Sequence, residues 1–133
     1  MCSNILLTTV VAAVIETDGR ILIGQRRPDQ SHPFKWEFPG GKVESGEEPR
    51  CALARELWEE LRIHAVIGRE IARYPYVYEE RPAIQLVFYT VTEYSGALDN
   101  RIYHCTAWVH RRDLPRWDFL DGDIEIVNQL QNF

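Results

Sequence analysis

Cysteine is scarce in this chain: Cys2, Cys51 and Cys105 are all it has, and none stands in a paired metal-ligand spacing. The odd thiol count argues against a disulfide-framed secreted scaffold and makes a reducing cytosol the simple reading. Basic residues are outnumbered, 15 Lys and Arg against 20 Asp and Glu, leaving a formal net charge of −5. A protein that grips duplex nucleic acid non-specifically needs a basic face, so that class is disfavoured, and an anionic ligand would have to be met locally. Long apolar runs are missing as well. The stretch Ile5 to Ile15 is interrupted by Thr8 and Thr9, has no basic flank before it, and is too short to span a bilayer. Linkers, repeats and low-complexity segments do not occur. With 133 residues, 45% of them apolar, the expectation is one domain, residues 1–133, built on a single sizeable core, with no membrane association.

What is present alternates between strand and helix signals. Ile5 to Ile15 ends at Asp18-Gly19, a hairpin signal, and Arg20 to Ile23 follows with β-branched residues, which predicts two paired strands. Trp36 to Phe38 reads as a short extended run that Pro39, Gly40 and Gly41 turn into a tight loop. Segments 67–78 and 83–94 are aromatic and β-branched around the turn-like Glu79-Glu80-Arg81-Pro82, so a second hairpin is expected, and Tyr103 to His110 reads as a further strand. Ile124, Val127 and Leu130 recur at helical spacing and predict a C-terminal amphipathic helix starting near Asp121 or Asp123. Strands and two helices in this order imply an α+β fold with helices packed on a mixed sheet.

The chemistry concentrates in residues 41 to 63, GKVESGEEPRCALARELWEELRI. At about 100° per helical residue, Glu56, Glu59 and Glu60 fall within an arc of roughly 100°, while Leu53, Leu57 and Leu61 form a separate apolar stripe. Like charges on one arc repel, an arrangement that makes sense around a hard divalent cation that prefers oxygen ligands. Pro49 suits the first helical turn, where its missing N–H is no loss, and Glu47 and Glu48 suit the positive end of the helix dipole. Gly40 and Gly41 either let the backbone approach a ligand or simply form a turn.

The spacing itself is Gly41, five residues, Glu47, seven residues, Arg55-Glu56-Leu57, one residue, Glu59-Glu60, two residues, Ile63. This resembles the Nudix box, G-x5-E-x7-R-E-U-x-E-E-x-G-U with U apolar, and departs from it only at Arg62, where the family has glycine. Weaker likeness to the MutT-like branch extends through Gln25-Arg26-Arg27-Pro28, WEFPGGK, the spacing from Gly96 to Trp108, and Phe119 to Asp123. The resemblance implies the Nudix fold, a mixed β-sheet sandwiched between α-helices. It also implies Mg²⁺-dependent attack of water on a nucleoside triphosphate, releasing a monophosphate and pyrophosphate, with Mn²⁺ as a substitute ion and the bacterial CTP pyrophosphohydrolases nearest in character. In that reading the Gly40 carbonyl, Glu56 and Glu60 bind the ion, Glu59 helps to hold or recruit a further one, and Glu47 and Arg55 orient these ligands. Arg26 is the candidate phosphate contact, or else a solvated strand end. Gly41 and Phe38 belong to the substrate side, and Ile84, Leu86 and Phe88, alternating on one strand face, line the pocket or fill the core.

Asp123 corresponds to the side chain that reads the base edge in MutT-like proteins. Ionised, it accepts hydrogen bonds only and favours an amino group such as cytosine's; protonated, it also donates. Its structural alternative is to cap the last helix. One absence stands against catalysis. The spacing from Gly96 to Trp108 puts Ile102 where MutT-like proteins carry a metal-binding glutamate, so the helix acids must suffice or Asp99, Asn100 or His104 must reach in. A nucleotide-binding regulator on the same scaffold, or a Nudix enzyme for another diphosphate-linked substrate, is the alternative expectation.

Overall fold

The segment Val11–Ile15 is apolar at every position, and the structure, a computed structural model that describes residues 7–132, shows why: this strand is covered on both faces. Val11, Ala13 and Ile15 point into one apolar cluster, and Ala12 and Val14 into another on the opposite side of the sheet. The first cluster is closed by α1 (Pro49–Leu61) through Ala52, Leu53, Leu57 and Leu61. The second is closed by α2 (Ile124–Leu130) through Ile126, Val127 and Leu130. The result is a mixed sheet between helices.

Nine strands are described: β1 (Thr8–Thr17), β2 (Arg20–Gln25), β3 (Trp36–Glu37), β4 (Gly40–Lys42), β5 (His64–Val66), β6 (Glu70–Tyr76), β7 (Ile84–Val91), β8 (Glu93–Ser95) and β9 (Cys105–His110). β1 runs parallel to β7 along its length, from Thr8 opposite Ile84 to Ile15 opposite Val91. Its other edge is shared by two strands. Near its end Glu16 and Thr17 pair with Ile21 and Arg20 of β2, whereas near its start Val10 to Ala12 pair with Lys42 to Gly40 of β4. The chain between β3 and β4 therefore crosses the place where this edge divides, which puts Phe38, Pro39 and Gly40 at the mouth of a cleft. Asp18 and Gly19 both take positive φ, 52° and 76°, in the turn that the sequence signalled.

Several details differ from the sequence reading. Ile5 lies outside the described residues. The strand expected from Ile67 starts only at Glu70, because Gly68 N–H and Thr90 N–H are used in loop bonds with Thr90 O and Arg69 O. The strand expected through Tyr94 divides at Thr92, and its end, β8, pairs with the unforeseen β5 in a separate ribbon. Tyr103 and His104 precede β9. Ile124 is exposed, and the buried stripe of α2 is Ile126, Val127 and Leu130, because a 3-10 turn over Asp121–Asp123 sets a different phase. No helix among the described residues is long and apolar enough to cross a membrane.

Candidate active site

Pro49 occupies the first turn of α1, and the Glu48 side chain caps it by accepting from Cys51 N–H at 3.2 Å. Because the leucine stripe faces the sheet, its flank brings Arg55, Glu56 and Glu60 to β4 and leaves Glu59 further out. Arg55 is the hub. Its Nε donates to Glu47 at 2.8 Å, its Nη1 to Glu56 at 3.0 Å and to Glu59 at 3.1 Å, and its Nη2 to the Lys42 carbonyl at 3.2 Å. This guanidinium holds the Glu47 carboxyl well below the usual range, at about 2. Gly41 is required by the same packing, since a Cβ there would run into the Glu56 carboxylate; a Cβ at Gly40 would meet the Val11 carbonyl.

Glu60 has a different environment. It accepts from Gly40 N–H at 3.3 Å and from the Tyr103 hydroxyl at 3.3 Å, both neutral donors. Burial, then the nearby charges of Glu56 and Glu37, push its carboxyl up to about 9. Burial also raises Glu56, against the pull of Arg55, and the charge of Glu56 adds to the rise at Glu60. Two adjoining carboxylates with one cationic neighbour between them, set beside a glycine strand, suit a hard cation as the missing compensation. Glu59 turns outward to Arg55, and among the described residues no three acid, histidine or cysteine side chains are grouped to hold an ion.

Beyond Gly40 the cleft widens into a cavity of about 460 Å³. Arg26, Glu37, Phe38, Tyr78, Ile84 and Leu86 line it, together with the buried Asp123. Phe38 is buried in a stack on Phe119, with centroids 5.2 Å apart, and Phe88 is wholly core. Arg26 is not a solvated strand end: its Nη1 donates to Glu37 at 3.0 Å and its Nε to the Ser31 carbonyl at 2.7 Å. Asp123 is the one buried charged residue among those described, 6% exposed, and its side chain makes no capping bond to α2. Burial and the Glu37 charge raise its carboxyl well above the usual range.

A family model for the NUDIX domain matches residues 6–130. The chain is a Nudix hydrolase. It is 36% identical over 118 residues to a CTP pyrophosphohydrolase of Escherichia coli, covering 89% of this chain and 87% of that protein. It is 34% identical over 124 residues to an 8-oxo-dGTP diphosphatase of Haemophilus influenzae, covering 92% and 90%. The solution structure of the E. coli ORF135 protein superposes with a TM-score of 0.85 at 34% identity, covering 95% of this chain and 89% of that one. A MutT structure from work on Aliivibrio salmonicida and Vibrio cholerae gives 0.80 at 27% identity, with 96% and 100% covered.

Set against the Nudix pattern, the two departures have clear structural settings. Arg62 takes the left-handed conformation of the missing glycine, φ 56° and ψ 34°, and ends α1 by donating its N–H to the Trp58 carbonyl. Its guanidinium lies 5.1 Å from the Trp58 ring centroid, a contact that glycine could not make. Ile102 packs against the α1-side core. The proposed substitutes are engaged elsewhere: Asp99 with Arg101 at 3.4 Å, Asn100 with the backbone of Ile102 and Tyr103, and His104 edge-on to Phe34. Sequence reasoning missed Glu37, which pairs with Arg26 and whose charge raises the carboxyls of both Glu60 and Asp123, and Tyr103, whose hydroxyl donates to Glu60. Glu37 lay within the WEFPGG run, but nothing local distinguished it from a solvated strand residue.

Proposed function

We propose that this Nudix hydrolase is a Mg²⁺-dependent nucleoside triphosphate pyrophosphohydrolase that converts NTP or dNTP and water to the monophosphate and pyrophosphate, with cytidine and oxidised nucleotides as its substrates. The observation that carries this reading is that Glu60 of α1 is hydrogen-bonded to Gly40, and Gly40 in turn lines a largely apolar cavity that takes in Arg26 and the buried Asp123. Glu56 and Glu60 would hold the ion, with the Gly40 carbonyl and Glu59 available to complete or recruit its coordination, and Mn²⁺ able to replace Mg²⁺. Such an ion supplies charge neutralisation at the phosphate oxygens and a more acidic bound water. Arg55 and Glu47 fix the orientation of Glu56 through the bonds described, a task that ion-binding side chains commonly require of their neighbours. Arg26, steadied by Glu37 and Ser31, presents its guanidinium to the phosphate chain.

Asp123 reads the base. Burial favours its neutral form, and a neutral carboxyl donates through O–H while accepting at C=O. Cytosine offers the complementary amino donor and ring acceptor. So does 8-oxoguanine, whose N7 carries a proton beside the O6 acceptor. One acid can therefore serve both substrate types named for the relatives. A panel of nucleoside triphosphates and diphosphate conjugates, scored for pyrophosphate or phosphate release, tests the proposal; release from no triphosphate would overturn it.

Ile102 favours a second reading, a nucleotide-binding regulator with little turnover. Mg²⁺ titration at saturating nucleotide separates the two. The enzyme reading expects turnover in the wild type and a lower half-maximal Mg²⁺ concentration in Ile102→Glu. Tight nucleotide binding with no turnover at any Mg²⁺ or Mn²⁺ concentration, and hydrolysis restored by Ile102→Glu, would establish the regulator.

A further inference from the structure

Tyr103 is buried, and its placement is determined from three directions. Asn100 clamps its backbone, with Oδ1 accepting from Tyr103 N–H at 2.8 Å and Nδ2 donating to the Tyr103 carbonyl at 2.8 Å. Its ring lies over Gly24 of β2 so closely that a Cβ there would stand 2.6 Å from the ring carbons. Its hydroxyl then donates to Glu60 Oε1 at 3.3 Å, and the charge of Glu37, itself paired with Arg26 at 3.0 Å, acts on both groups. The side chain immediately before it, Ile102, can bind neither ion nor proton.

We propose that Tyr103 is a positioning residue for Glu60: its hydroxyl, fixed by the Asn100 clamp and by the seat of its ring on Gly24, holds that carboxyl in place and so secures an ion-binding acid where loop 96–104 contributes none of its own. This rests on the reading of Glu56 and Glu60 as holders of a divalent ion. A core-filling role would need only the ring, because Gly24 clears space for the ring and a phenylalanine would occupy it equally well. The hydroxyl is different. Removing it leaves the buried Glu60 carboxyl with Gly40 N–H as its remaining uncharged donor, free to turn away from Glu56.

The test is Tyr103→Phe in the full chain, with Mn²⁺ binding measured by the electron paramagnetic resonance signal of the free ion, in the absence of nucleotide. Loss of one bond to a carboxylate is expected to weaken Mn²⁺ binding about tenfold and to raise the half-maximal Mg²⁺ concentration similarly, with kcat at saturating Mg²⁺ within about threefold of wild type. Thermal melting close to wild type would accompany this, since the ring is kept. Mn²⁺ affinity unchanged in Tyr103→Phe but lost in Glu60→Gln would overturn the role of Tyr103 and leave the ion site standing. Mn²⁺ affinity unchanged in both variants would overturn the ion site and, with it, the proposal.

Discussion

The two ends of the cleft are built on opposite plans. At the α1 end, Arg55 organises Glu44, Glu47, Glu56 and Glu59, Glu60 is held apart on two neutral donors, and Glu56, Glu59 and Glu60 come from two turns of helix. At the far end a single acid, Asp123, is buried among Phe38, Tyr78 and Leu86, which arrive from separate elements. The first end suits chemistry on phosphate, where charge must be met by charge. The second suits discrimination among bases, where desolvation makes each hydrogen bond count. Variants that strike one end and spare the other should separate rate from preference.

Glu60→Gln strikes the chemical end hardest. It keeps the shape but removes a charge from the proposed ion, so hydrolysis should fall on the order of 100-fold or more on every nucleotide while the fold persists. Wild-type turnover in this variant would detach Glu60 from the ion.

Glu47→Gln acts one step back, through Arg55, and should cost roughly 10- to 100-fold in rate or metal affinity, again without regard to base. It also has a pH signature. The carboxyl is depressed to about 2 in the folded chain from an ordinary 4.5, so its contribution to stability is present above the ordinary value and is lost as pH falls from there through 2. Melting curves from pH 5 to pH 2 should therefore fall less steeply for Glu47→Gln than for wild type.

Asp123→Asn addresses the other end. Relative kcat/KM for cytidine against other nucleotides should change by roughly tenfold or more, with a smaller change in the best attainable kcat, because the contact is remote from the attacked phosphorus. Equal losses on all nucleotides would remove Asp123 from base reading. Its folded pKa is raised, so the stability it contributes is complete below the ordinary aspartate range and declines as pH rises toward the folded value. The charged groups that face it are Glu37, which raises it, and Arg26, which lowers it, with the Tyr74 and Tyr78 phenols close by. Above pH 4, the melting temperature of wild type should decline relative to that of Asp123→Asn.

The smallest effect belongs to Arg62→Gly, which lies outside both ends. Relief of a left-handed non-glycine residue is worth about 1 kcal/mol, and the lost stacking on Trp58 offsets part of it, so the melting temperature should lie between unchanged and about 4 °C higher. Activity should persist. A large loss of hydrolysis would give Arg62 a substrate role and blur the division between the two ends.

The chemical end was legible because its geometry is local. Helical periodicity puts Glu56, Glu59 and Glu60 on one arc beside the Leu53 and Leu57 stripe, with Arg55 next to it, wherever the helix is placed, and Pro49 and Arg62 mark its limits. Strand β1 was legible for a similar reason, since an unbroken apolar run can be satisfied only by cover on both faces. The phase of α2 was not, because Ile124 and Ile126 are equally apolar and the choice between them depends on how the Asp121–Asp123 turn seats on Tyr74 and Tyr78. Asp123 shows the same division within one residue. As a sequence symbol it is a good helix cap, and only the packing around it makes it a buried acid.

By itself the sequence determined the box, the main strands β1, β2, β6, β7 and β9, the two helices, and the faces of α1, because each depends on neighbours within a few residues. Tertiary structure decided which acids share a site, that the Glu37 charge acts on both Glu60 and Asp123, that Tyr103 donates to Glu60, and that Asp123 is desolvated. Those outcomes depend on charges and buried surfaces brought together from segments far apart in the chain, and the strength of each interaction is set by the water that their packing excludes.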